Sequence, residues 1–307
     1  MRSSIVSGFT NLRLKYPGVD GLLFKGLSLS VRHGEKVLLL GPSGCGKSTM
    51  LQVLSGLVPS SIELPMKSDE LIVPEHSGYV FQDPDAQFCM PYADEELAFA
   101  MENLCVPRED MPARIEQLLS IVGLQLENRH TLIETMSQGM KQRLALASVL
   151  ALEPDVLFLD EPTALLDHEG TTQVWNVIKQ NAANQTLIIV EHKIDEIMDW
   201  VDRIIVFTPE GSILAEGSPE YVFSVFKREF IDYGIWYPGV WKDYMESNSL
   251  HKSKTTSAAA NVDTIPLLHM EAFSGFRGGM SQITVGQCEV AAGEWIAVIG
   301  QNGAGKS

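Results

Sequence analysis

Val37-Leu38-Leu39-Leu40-Gly41-Pro42-Ser43-Gly44-Cys45-Gly46-Lys47-Ser48-Thr49 carries the strongest structural signal in the chain. Four consecutive apolar residues suit a strand covered on both faces. The run breaks into Gly41-x-x-x-x-Gly46-Lys47-Ser48, which opens a predicted helix. Strand, glycine-rich turn and helix in that order are the setting a phosphate-binding P-loop requires. Glycines let the backbone turn tightly so that successive N–H groups point at phosphate oxygens, and the helix adds the positive end of its dipole. Gly41, Ser43, Gly44, Gly46 and Thr49 are therefore candidate nucleotide contacts. Lys47 is placed to reach the β- and γ-phosphates, and the Ser48 hydroxyl to ligate Mg²⁺. Cys45 within the loop reads as a small filler.

Working outward, the pattern returns near the far end of the chain. Gly34-Glu35 precedes the first run; Gly293-Glu294 precedes residues 295–299 and then Gly300-Gln301-Asn302-Gly303-Ala304-Gly305-Lys306-Ser307. The offset is a constant 259 residues, and seven of the fifteen positions in 34–48 and 293–307 are identical, including every motif glycine, the Lys and the Ser. A second copy of one domain begins here. The expected organisation is a complete nucleotide-binding domain over 1–226, an aromatic-rich extension and small, polar linker over 227–260, and the start of a second domain over 261–307. Strands are expected near 283–285 and 295–299, with unpaired edges and an unburied apolar face. The second copy is expected to be an opening fragment that stops after its phosphate motif, as from an incomplete coding sequence. The aromatics of 226–244 are expected to pack over the first domain.

A second chemical element is Val156-Leu157-Phe158-Leu159-Asp160-Glu161, a buried strand whose two acids emerge at its carboxyl end, where open α/β sheets bind ligands. Asp160 suits Mg²⁺ coordination, and Glu161 is placed to polarise a water attacking the γ-phosphate. Further apolar runs such as 187–190 suit buried strands, and 111–122, 137–151 and 169–182 suit helices. The alternation predicts an α/β fold with a mostly parallel sheet.

Composition narrows the class. The 307 residues (33.8 kDa) are 45% hydrophobic and 20% charged, which excludes wholesale disorder. The net charge of −16 argues against nucleic acid as a partner. No apolar stretch approaches the roughly 18–20 residues of a membrane helix, and Met1-Arg2-Ser3-Ser4-Ile5 lacks the features of a secretory signal. Four scattered cysteines fit a reduced compartment. Asp94-Glu95-Glu96 is expected to begin a helix.

Between the two chemical elements and after them lie Tyr16-Pro17-Gly18, Gln82 in Tyr79-Val80-Phe81-Gln82-Asp83-Pro84, Ser137-Gln138-Gly139-Met140, Pro162-Thr163-Ala164-Leu165-Leu166-Asp167 and Glu191-His192. In this order the set resembles an ATP-binding cassette (ABC) ATPase over nearly all of 1–226. The resemblance implies a P-loop fold with an antiparallel β subdomain and a helical subdomain, and ATP and Mg²⁺ as cofactors. It implies that Tyr16 stacks on adenine and that Gln82 links Mg²⁺ and the attacking water to a transmembrane partner. By the same resemblance Glu161 is the catalytic base, His192 contacts the γ-phosphate, and Asp167 couples two sites across a dimer. Ser137 and Gly139 match the signature that contacts ATP held by another cassette. That signature departs from the usual Leu-Ser-Gly-Gly-Gln: it reads Met136-Ser137-Gln138-Gly139-Met140, and Met140 removes an amide.

The loop Gln82-Asp83-Pro84-Asp85-Ala86-Gln87 and the run Glu191-His192-Lys193-Ile194-Asp195-Glu196-Ile197 resemble the energy-coupling-factor and cobalt-type importer ATPases. Tandem-cassette members of that group are assigned to thiamine-precursor uptake. The expectation is an ATPase at the cytoplasmic face of a membrane, peripheral to separate transmembrane subunits and paired with a second cassette. A soluble tandem cassette acting on ribosomes is the alternative; such proteins carry a long charged linker, and the linker here is short. An exporter would need membrane spans, and a DNA-repair cassette large insertions.

Overall fold

The computed structural model describes residues 4–248, 266–277 and 280–298. The motif at 300–307 and most of the expected linker lie outside them. Two compact units divide the chain, Met1–Val240 and Trp241–Ser307.

In the first unit, β1 (Ile5–Leu14) and β2 (Phe24–Arg32) form an antiparallel pair and lead into β3 (Lys36–Leu40), the glycine-rich turn and α1 (Lys47–Leu54). A short turn, α2 (Leu57–Ser60), precedes β4 (Met66–Lys67) and β5 (Glu70–Ile72), both antiparallel to β1. Next come β6 (Ser77–Val80) and the helices α3 (Ala93–Asn103), α4 (Met111–Ile121) and α5 (Gln138–Leu150). The acids 94–96 do open α3, as their attraction to a helix N-terminus predicts. Then follow β7 (Val156–Asp160), α6 (His168–Asn181) and three successive strands, β8 (Thr186–Val190), β9 (Arg203–Phe207) and β10 (Ile213–Gly217). The unit closes with α7 (Pro219–Val225) and α8 (Lys227–Asp232), and α9 (Val240–Asn248) begins at its boundary.

The central sheet has the order β10-β9-β3-β8-β7-β6, parallel throughout except for β10. Its strands are apolar on both faces, and alternate residues feed two separate cores. Leu38 and Leu40 of β3, Leu157 and Leu159 of β7, and Leu187 and Ile189 of β8 join a core with residues of α3, α4, α5 and α6. Val37, Leu39, Val156, Phe158, Ile188 and Val190 join another with Met50, Leu51 and Leu54 of α1 and with Leu12, Leu14 and Phe24 of the antiparallel sheet. The P-loop is thus held between rigid layers at the carboxyl end of a central strand.

Phe230, Ile235 and Tyr237 are buried in the first of these cores, so the compact unit extends past the expected boundary at 226, and α9 lies within the expected 227–260 extension and linker. In the second unit, β11 (Leu268–Arg277) and β12 (Met280–Val290) form an antiparallel hairpin. The strand expected near 283–285 lies in β12 and is paired along one edge. The strand expected at 295–299 is not formed over 295–298, where no neighbouring strand supplies backbone partners among the described residues.

Candidate functional site

β3 delivers the glycine-rich turn to the sheet's carboxyl edge, and two glycines there are sterically required. Gly46 has φ +99°, and a β-carbon on it would lie 3.0 Å from Phe24 Cζ. At Gly41, φ +156°, a β-carbon would lie 2.9 Å from Cys45 Sγ. Cys45 is buried, and burial pushes its thiol above its ordinary value, consistent with a filler. The Lys47 ammonium donates to the carbonyls of Gly41 (2.8 Å) and Pro42 (2.9 Å), folded back over the turn it follows.

β7 brings up the acids. Asp160 ends the strand only 5% exposed, accepting from Ser48 Oγ at 2.9 Å and from the Tyr79 hydroxyl at 3.1 Å. Burial raises the pKa of Asp160, and the two hydroxyl donors oppose that rise. Burial, with Asp160 alongside, keeps Tyr79 well above its ordinary range, so its hydroxyl serves as a donor.

Glu161 follows in the left-handed region at φ +48°, which costs a non-glycine residue about 1–2 kcal/mol. Its N–H bonds the carbonyl of Val190 on β8 (2.9 Å), fixing the turn. The side chain lies between Gln82, whose Nε2 donates to Oε2 (3.1 Å), and His192, whose Nε2 lies 3.2 Å from Oε1. The His192 hydrogen bond, against partial burial, holds Glu161 below the usual carboxylate range. Glu161 is therefore ionised at neutral pH and available to accept a proton.

Tyr16, Ser43, Gly44, Gly46, Lys47, Ser48, Thr49, Gln82, Glu161 and His192 line one cavity of about 460 Å³. Asp160 joins them through Ser48, and the Tyr16 hydroxyl sits 2.5 Å from Thr49 Oγ1. Ser137, Gly139 and Asp167 are not among its lining residues. Ser137 caps α5, accepting from the Met140 N–H (3.3 Å), and Asp167 caps α6, accepting from the Gly170 N–H (2.9 Å). Gly139 packs beside Leu166, so the signature segment and the 162–167 loop are neighbours.

Sequence reasoning missed Tyr79 as a partner of Asp160. The parallel register that sets Tyr79 against Phe158 makes that contact possible, and it exists only once β6 and β7 pair. It also gave Glu191 no role beyond preceding His192. An acid closing an all-apolar strand was the available signal.

The cavity offers hard oxygen ligands for Mg²⁺: the Ser48 hydroxyl, the Asp160 carboxylate and the Gln82 amide oxygen. Among the described residues no group of three or more His, Cys, Asp or Glu could hold a metal by itself.

The family described as ABC transporter matches residues 24–164. A protein of Bacillus subtilis provisionally named HMP/thiamine import ATP-binding protein YkoD is 31% identical over 96% of this chain and 59% of its own length. An ABC transporter ATP-binding protein of Pyrococcus abyssi, also provisionally named, is 40% identical over 69% of this chain and 80% of its own. Among solved structures, cbiO1 from Clostridium perfringens, described as part of the ABC transporter complex cbiONQ, superposes with TM-score 0.59 at 28% identity, covering 81% of this chain and 96% of that one. An ATP-binding cassette bound to ADP and Pi shares the fold, with TM-score 0.58 and 24% identity over 69% of this chain and 97% of its own. The chain spans about 60% of the length of the two curated relatives that match nearly all of it. At 40% identity over 80% of the Pyrococcus abyssi relative's length the family is shown: the chain belongs to the ATP-binding proteins of the ABC transporter family.

Proposed function

We propose that this protein binds and hydrolyses ATP to energise a membrane importer of the energy-coupling-factor type, taking up a vitamin, a vitamin precursor or a metal ion. The observation that carries the reading is the Glu161 carboxylate between Gln82 and His192, in the cavity that also holds Lys47 and Ser48.

In this reading Tyr16 stacks on adenine while the turn from Gly41 to Gly46, with Ser43, Gly44 and Thr49, cradles the phosphates. Lys47 leaves the Gly41 and Pro42 carbonyls for the β- and γ-phosphates. Ser48, Asp160 and Gln82 would hold Mg²⁺, which when bound offsets charge on the phosphate oxygens. Glu161 takes the proton of the attacking water, and His192, whose ring lies against that carboxylate, contacts the γ-phosphate. Ser137 and Gly139 would contact ATP on another cassette, and Asp167 would couple the two sites. Their placement outside the cavity supports that division. ATP at such a joint draws two cassettes together by completing the donor shell, and cleavage lets them part.

The likeness to cbiO1, part of an ABC transporter complex, and to the thiamine-import relative supports separate membrane subunits as partners. A peripheral position on the cytoplasmic face and a second cassette, in the same protein or beside it, complete the reading. Among the described residues no helix is long and apolar enough to cross a membrane. Affinity purification of the whole protein from its own cells tests the reading. Recovery of small, very hydrophobic proteins is expected; recovery of ribosomal RNA and no membrane protein would overturn it.

A further inference from the structure

Glu191 immediately follows β8 and is 1% exposed. A buried carboxylate is costly unless donors surround it. Three do: the Thr163 hydroxyl reaches Oε2 at 2.7 Å, and the backbone N–H groups of His192 and Lys193 reach Oε1 at 2.8 and 3.1 Å. Thr163 is fully buried as well. On the other side of His192, the Lys193 ammonium donates to the carbonyls of Leu166 (2.7 Å) and Thr163 (3.3 Å). Both chain neighbours of the histidine therefore grip the loop that follows Glu161.

These bonds close a ring. From Glu161 the chain runs through Pro162 to Thr163, crosses by hydrogen bond to Glu191, passes to His192, and returns to Glu161 over 3.2 Å. In such a ring the Thr163–Glu191 bond acts with the backbone bond from Glu161 to Val190 to set the spacing of Glu161 and His192. With both of its oxygens engaged by protein donors, Glu191 has little capacity left to act on a water.

We propose that Glu191 is a positioning residue for the hydrolytic pair, holding His192 against Glu161 through Thr163 and tying both to the 162–167 loop that ends at Asp167. The proposal rests on the functional reading above. Movement of that loop when a second cassette docks would be felt at His192 through two side chains.

The test is steady-state ATP hydrolysis by the whole protein with its partners, using Glu191→Leu, Glu191→Gln and Thr163→Val. Glu191→Leu is expected to lower kcat about tenfold with KM for ATP within about twofold, the pattern of a lost transition-state interaction. Glu191→Gln should restore kcat to within about threefold of the parent, because its amide oxygen can accept from both N–H groups and its NH₂ can donate to Thr163. Thr163→Val removes one hydroxyl without disturbing the chain path and should lower kcat about threefold, which covers the case in which Glu191→Leu does not fold. An unchanged kcat in Glu191→Leu, or in Thr163→Val where that variant stands in for it, overturns the proposal. So does a loss in which KM rises as kcat falls, or a Glu191→Gln no better than Glu191→Leu. Glu161→Gln in the same assay separates the two ideas. Full turnover there would defeat the functional reading itself; lost turnover with an indifferent Glu191→Leu would defeat only the proposal.

Discussion

Residues 36–39 and 295–298 occupy matching places in the repeat, each leading to a glycine-rich motif, yet only the first is a strand. β3 bonds β8 on one side and β9 on the other, and Val37, Leu38 and Leu39 lose all contact with water. In the second segment Trp295 is 97% exposed, and Ile296 and Val298 are also exposed. An apolar run makes a strand available; neighbours on both edges make it one. Those neighbours lie far along the chain, at residues 186–190 and 203–207.

The largest expected effect sharpens that contrast. Leu39→Ala should destabilise the first unit by about 2–5 kcal/mol through the cavity it leaves. Val298→Ala in the same 307-residue chain should shift stability by less than about 0.5 kcal/mol. Urea titrations of the two variants give the comparison, and equal shifts would break it. Next, Lys47→Ala should weaken ATP binding about 10–100-fold, the loss of a charge-assisted contact.

A smaller effect concerns pH. The hydrogen bond from His192 holds Glu161 below the ordinary carboxylate range, assisted by the charges of His192 and Lys47 and opposed by burial. Without His192 the pKa of Glu161 rises toward its ordinary value, and the base becomes protonated at a higher pH. The acid limb of the kcat profile of His192→Ala should therefore move upward in pH relative to the parent, over whatever activity remains. A stationary or downward-moving limb would show that His192 does not govern this carboxylate.

What could be read in the sequence was whatever lies in consecutive residues. The strand and turn of 37–49, the acids closing 156–161 and the helices near 111–122, 137–151 and 169–182 are local patterns, and the elements fall within a residue or two of them. What could not be read depends on pairing across distance. Tyr79 meets Asp160 only through the β6–β7 register, and Glu191 meets Thr163 only after β8 has docked beside β7. The positive φ of Glu161 has no signal in composition, because the turn is imposed by the bond to Val190. The expected strand at 295–299 failed for the complementary reason. Over 295–298 the local pattern is present, and among the described residues no strand pairs with it.

The central claim is that the carboxylate of Glu161 takes the proton from the water that cleaves ATP. Turnover and ATP binding of Glu161→Gln, measured side by side on the whole protein with its partners, test it most directly. Affinity within about twofold of the parent and turnover lower by about 10²–10⁴-fold, the usual worth of a general base, are expected. Turnover within a few-fold of the parent, with binding intact, would contradict it.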